Sequence, residues 1–194
     1  DLEKARRRVF NATRPAPPAT EPEVGTPRIG IPQALQLAAD LPFWRTFFER
    51  LGIPVVEERP SREVLSEGKE IQQAEFCAPM TNLHGQVARL LKEADYVFIP
   101  VYLGEAESHG YCYYTQFSAP VLRSLTSGVE GALITPALGS LGPTERIRTG
   151  QTHLPWSAIE ELTRTLKPLL PSLTLLQVRS AYARPTIRRR GVGS

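Results

Sequence analysis

The chain has 194 residues, 41% of them hydrophobic, and a formal charge of +3, a size and composition that suit one α/β domain with tails and supply enough apolar side chains for a core. No stretch reaches the roughly 18 uncharged apolar residues of a membrane-spanning helix, and the opening Asp1-Leu2-Glu3-Lys4 is neither a signal peptide nor an initiator methionine, so the chain reads as a piece of a longer soluble, cytoplasmic protein. Much of the positive charge sits in Arg179, Arg184, Arg188, Arg189 and Arg190; the remainder is slightly acidic, which excludes a basic nucleic-acid surface on the body of the domain.

Residues 1–27 combine Arg6, Arg7 and Arg8 with a Pro/Ala/Thr/Glu stretch holding Pro15, Pro17, Pro18, Pro22 and Pro27. Such a segment buries too little apolar surface to order itself and reads as a linker. Ile29-Gly30-Ile31-Pro32 predicts a first buried strand, bounded by proline. Leu41-Pro42-Phe43-Trp44 opens a helix with proline in its first turn, Phe43, Phe47, Phe48 and Leu51 mark its apolar face, and Gly52 ends it. The second strand runs from Ile53 to Glu57. Ser61 is placed as the N-cap of a second helix reaching about Gly68.

A third helix spans Met80 to Glu93, and Tyr96-Val97-Phe98-Ile99-Pro100-Val101 is the third strand. A fourth helix covers Thr115 to Leu125, followed by a strand in Ala132-Leu133-Ile134-Thr135-Pro136. Pro155 to Leu169 is the last helix expected, with Trp156, Ile159, Leu162 and Leu166 facing inward. Residues 28–170 thus form the lobe, and 171–194 a C-terminal extension towards a second lobe; the basic residues 179–194 are expected outside the core.

Continuous apolar strands alternating with amphipathic helices predict a parallel sheet covered on both faces. Right-handed crossovers give a three-layer, doubly wound four-stranded sheet of order 2-1-3-4, a Rossmann/flavodoxin-like lobe. Ligands of such sheets lie beyond the carboxyl ends of the strands, here the loops 32–40, 58–61, 100–114 and 136–152. No phosphate loop or dinucleotide fingerprint follows the first strand, Gly139-Ser140-Leu141-Gly142 reads as a turn, and no Gly-x-Ser-x-Gly elbow is present.

Cys77 and Cys112 are the only cysteines. Two so widely spaced thiols are not a disulfide framework. Cys112 lies in the loop after the third strand, and Cys77 reaches the same edge if residues 69–79 wrap back over it. Two thiolates alone make an incomplete metal site. His84 lies on a helix two turns past Cys77, where a structural role competes with one beside a cysteine site; His109 and His153 read as surface residues. A zinc site built from both cysteines and two histidines matches no usual spacing.

The motifs Arg28-Ile29-Gly30-Ile31-Pro32, Pro42-Phe43-Trp44-Arg45-Thr46-Phe47-Phe48, Leu51-Gly52 and Val55-Val56 resemble the opening of a domain of unknown function found beside the ATPase in activases of 2-hydroxyacyl-CoA dehydratases. The likeness continues through Ser61, Gly68, Glu75, Cys77, Pro79, His84-Gly85, Asp95-Tyr96-Val97-Phe98-Ile99-Pro100 and Cys112, over roughly residues 28–135. Proteins of this type are similar to iron–sulfur subunits of those dehydratases and of benzoyl-CoA-type reductases. The resemblance implies that Cys77 and Cys112 are ligands of an iron–sulfur cluster in the full-length protein, with a further ligand beyond Ser194, and that this fragment does not hold the cluster stably. His84 and Tyr113 are candidates for the shell around the ligands. Ala78 and Tyr113 stand where many relatives carry an aromatic residue and a proline.

The implied function is one lobe of an activase-related protein in ATP-coupled, low-potential electron transfer to acyl-CoA dehydration or reduction. Its implied partners are a second lobe, the activase ATPase domain and acyl-CoA, with neither nucleic acid nor membrane. Two other readings stand beside it: a cluster-free docking module for the ATPase, and a flavodoxin-like small-molecule-binding domain, which requires a pocket at the ends of the first and third strands.

Overall fold

The computed structural model describes residues 25–72, 74–102, 112–125, 131–139, 142–148 and 153–183. In chain order the elements are β1 (Ile29–Pro32), α1 (Leu37–Arg50), β2 (Val55–Glu58), α2 (Arg62–Ile71), α3 (Ala78–Glu93), β3 (Tyr96–Phe98), α4 (Tyr113–Gln116), α5 (Ser118–Leu125), β4 (Leu133–Ile134), α6 (Pro143–Arg148), α7 (Trp156–Leu166) and α8 (Leu175–Tyr182). The strands are all parallel in the order β2-β1-β3-β4. This is the three-layer, doubly wound α/β sheet read from the sequence.

Alternation along the strands explains why each reads as an unbroken apolar run. Ile29, Ile31, Phe98 and Ile134 enter one core with α1, α7 and α8. Val97, Ile99 and Leu133 enter the other with Met80, Leu83, Val87 and Leu90 of α3 and Leu122 of α5. Both faces are buried, as a parallel sheet requires. The first core is dominated by aromatic rings: Trp44 is fully buried, meets Phe98 at 4.7 Å between ring centroids, and donates its indole N–H to the Tyr102 hydroxyl at 3.1 Å.

Among the differences from the sequence reading, three bear on the core. Helix α1 begins at Leu37, so Pro42 lies inside it rather than at its first turn; the ring costs one backbone donor, and the buried Leu37, Leu41 and Phe43 hold the helix through that gap. Trp156 is 49% exposed, while Ile159, Leu162 and Leu166 face inward as expected. The third is the basic segment. Residues 179–183 do not stand clear of the core: α8 buries Val178, Ala181 and Tyr182 against Phe43 and Trp44. Arg179 stays exposed on that helix, so charge and burial coexist by periodicity. Residues 1–24 and 184–194, His109 and Tyr111 lie outside the described residues.

Ser61 caps α2 as the sequence indicates, accepting the Val64 N–H at 3.1 Å. Ser61→Ala is expected to lower stability by about 1 kcal/mol, read from urea denaturation. An unchanged midpoint would mean that water replaces the hydroxyl without loss.

Candidate functional site

In a doubly wound sheet the helices run antiparallel to the strands, so their N-termini gather at the carboxyl edge. Cys77 is the N-cap of α3 and Cys112 the N-cap of α4, which places both at that edge. The Cys77 carbonyl accepts from the N–H groups of Met80 and Thr81 at 2.9 and 3.0 Å, and the Cys112 carbonyl from Thr115 at 2.9 Å. Neither side chain makes a cap hydrogen bond. Both thiols are free and exposed.

The two loops touch. Phe76, beside Cys77, packs edge-on against Tyr114, two residues past Cys112, at 5.7 Å between centroids. Tyr113 is 67% exposed, 4.4 Å from the Phe117 ring and 6.0 Å from the Tyr114 ring. Tyr113, Tyr114 and Phe117 thus form an exposed aromatic surface next to Cys112.

His84 is buried beneath Phe76, edge-on at 5.1 Å. Gln72 Nε2 donates to its Nδ1 at 2.8 Å, while Nε2 of the imidazole has no hydrogen-bond partner among the described residues. Burial lowers its pKa from 6.5 to about 4, so His84 is neutral at pH 7 and brings no positive charge to the cysteines. Thr81 Oγ1 lies 3.0 Å from Gln72 Nε2 and 3.3 Å from the Cys77 carbonyl oxygen. His153 is exposed, and its carbonyl accepts from Arg146. Among the described residues no three His, Cys, Asp or Glu side chains group as a metal site. Thiolates are the donor type that iron–sulfur clusters take, so the chemistry of the two cysteines suits part of such a ligand set.

Sequence reasoning missed Gln72, Thr81 and Tyr114 as parts of this assembly, and also a second buried polar group at the same edge. The buried Asp40 accepts the Thr144 N–H at 3.0 Å, capping α6, and Thr144 Oγ1 donates to the Ala39 carbonyl. A Cβ on Gly142 would lie 2.3 Å from Asp40 Oδ2, so a larger residue there has to push the carboxylate off its present position. Burial, and then the nearby Asp40 charge, push the Tyr102 pKa well above its ordinary value. The group reads as a latch between α1 and the loops after β3 and β4. The Asp40–Thr144 pairing spans half the chain and has no local signature.

A depression of about 480 Å³, lined by Arg50, Leu170, Leu173, Gln177 and Ser180, lies where α1 ends. That is the amino edge of the sheet, away from the cysteines, and Arg50 there donates to the carbonyls of Ala181 and Ala183. It is not the pocket at the ends of β1 and β3 that a flavodoxin-like site requires. Among the described residues no helix is long and apolar enough to cross a membrane.

No curated protein and no solved structure matches the chain. A family model does, over residues 28–183, which takes in every element from β1 to α8 and both cysteines. The chain therefore belongs to the family described as the CoA enzyme activase uncharacterised domain.

Proposed function

We propose that this domain holds one side of an iron–sulfur cluster through the thiolates of Cys77 and Cys112, with the remaining ligands supplied from outside these 194 residues. The observation that carries the reading is that two exposed free thiols stand at helix N-caps whose neighbouring rings, Phe76 and Tyr114, pack against each other. Two ligands leave a cluster half bound, so the completing thiolates come from a second lobe. When bound, the cluster supplies a one-electron carrier. The chain's own part is to bind through sulfur and to shape the surroundings. Phe76 and Tyr114 join the two cysteine loops, and neutral His84 supports them by packing rather than by charge.

Membership of a CoA enzyme activase family supports the wider role: ATP-coupled, low-potential electron transfer in acyl-CoA dehydration or reduction, with the activase ATPase domain as partner. The test is iron and acid-labile sulfide in the anaerobically purified full-length protein. Cys77→Ser and Cys112→Ser are each expected to lower both, together with the visible absorbance, with little change in far-UV circular dichroism. The 194-residue chain alone is expected to be colourless. Iron unchanged in both variants rejects the reading.

The exposure of Tyr113, Tyr114 and Phe117 favours one alternative, a cluster-free module that docks on the activase ATPase through these rings. Full-length protein that is free of iron yet binds the ATPase, and loses that binding in Tyr113→Ser, selects it.

A further inference from the structure

We propose that Gln72 is a positioning residue for Cys77: through His84 and Thr81 it holds the N-terminal end of α3 and so sets where the Cys77 thiol stands relative to Cys112. The proposal rests on reading the two cysteines as one thiolate site. Gln72 is the C-cap of α2 with an extended backbone, φ −73° and ψ 132°, and residues 74–77, before α3, lie outside helix and strand. What fixes such a stretch is side-chain bonding.

Two chains of contact start on the Gln72 amide. One runs to His84 Nδ1 at 2.8 Å, from the His84 ring to Phe76 at 5.1 Å, and from Phe76 to Tyr114 at 5.7 Å, ending beside Cys112. The other runs to Thr81 Oγ1, 3.0 Å from the amide nitrogen and 3.1 Å from its oxygen, and from Thr81 to the Cys77 carbonyl at 3.3 Å. A single side chain thereby ties down both flanks of Cys77.

The arrangement also fixes a tautomer. An amide NH2 has no lone pair to accept with, so Nδ1 of His84 is the bare nitrogen and the ring proton sits on Nε2. That proton has no acceptor among the described residues. His84 is 1% exposed, so leaving a buried donor unpaired is costly. The ring nevertheless stays in place, gripped on its other side by Gln72 and faced by Phe76. A residue kept solely to fill the core would be served better by an apolar side chain here.

The test uses the reduced 194-residue chain with two thiol probes. Dibromobimane fluoresces when it bridges two neighbouring thiols, and iodoacetamide alkylation followed by peptide mass spectrometry gives separate rates for Cys77 and Cys112. Wild-type chain is expected to be bridged. Gln72→Ala is expected to lower the bridging yield and raise the Cys77 rate several-fold relative to Cys112, which serves as internal reference. Gln72→Glu keeps an acceptor for the Thr81 hydroxyl but loses the donor to Nδ1, and is expected to fall between the two.

Failure of the wild type to bridge removes the shared thiolate site, and this proposal with it. A bridged wild type with unaltered bridging and rate ratio in Gln72→Ala overturns the positioning role alone. Should Gln72→Ala not fold, long-range proton–nitrogen NMR of the wild type at neutral pH decides: the Nε2–H tautomer of His84 supports the lock, and the Nδ1–H tautomer overturns it, because Gln72 would then accept rather than donate.

Discussion

Gly85→Ala is expected to cost about 3 kcal/mol of folding stability or more, the upper part of the range for forcing extra atoms into a packed interior. The direction is opposite to the usual one. Replacing glycine by alanine inside a helix ordinarily gains about 1 kcal/mol, because alanine loses less backbone freedom on folding. Here the added Cβ would lie 1.9 Å from the Val64 carbonyl oxygen, whereas real Cβ atoms essentially never approach within 3.0 Å. Gly68 is the counterpart on the facing helix, with its Cβ position 2.0 Å from the Thr81 carbonyl oxygen. A backbone carbonyl cannot swing aside as a side-chain tip can. Helices α2 and α3 would have to part, loosening the buried Val64 and Thr81 and shifting the N-cap that presents Cys77.

Gly68→Ala is expected to behave alike, since both residues line the same seam. Gly131 supplies the control: a Cβ there meets nothing within 4 Å, and alanine is expected to change stability by no more than about 0.5 kcal/mol. Equilibrium urea denaturation of the three variants checks the claim. Gly85→Ala as stable as the wild type would mean that α2 and α3 do not pack at this separation.

The sheet was legible because its evidence is local and repeated: each strand is a short apolar run between turn residues, and right-handed crossovers leave little freedom in strand order. Helix α8 was missed for a different reason. Its arginine-rich surroundings mask the helical signal, although Thr174 and Gln177 carry the spacing of a capping box, and the structure shows both of its bonds. Helix α6 likewise opens with Pro143 at a position where a missing N–H costs nothing, a signal present in the chain but read as part of a loop. The cysteines stood out by scarcity. Gln72 could not, because a polar residue at the end of a helix is ordinary until its partners are known. The same holds for Tyr114, whose contact with Phe76 joins segments separated by α3 and β3.

His84 is expected to make the fold acid-sensitive in the window between its unfolded and folded pKa values, 6.5 and about 4. Burial is the cause, since it penalises the charged ring. The folded pKa lies below the unfolded one, so the unfolded chain binds more protons within that window. The stabilisation is fully present above pH 6.5, declines as the pH falls, and is lost by about pH 4. The whole loss is up to about 3 kcal/mol, since a tenfold difference in proton affinity between the folded and unfolded chain corresponds to about 1.4 kcal/mol. Carboxylates titrate in the same region, so the measurement is a difference: urea stability of wild type and His84→Phe at both ends of the window. Phenylalanine removes the Nδ1 acceptor of the Gln72 amide at every pH, a constant offset that drops out of the slope. The wild type is expected to lose up to about 3 kcal/mol more than the variant between the two ends. Equal losses would mean that the ring reaches water or gains an acceptor when protonated. In either of those states it could carry positive charge towards the cysteine loops, and the view of His84 as a neutral packing support for Cys77 would fall with it.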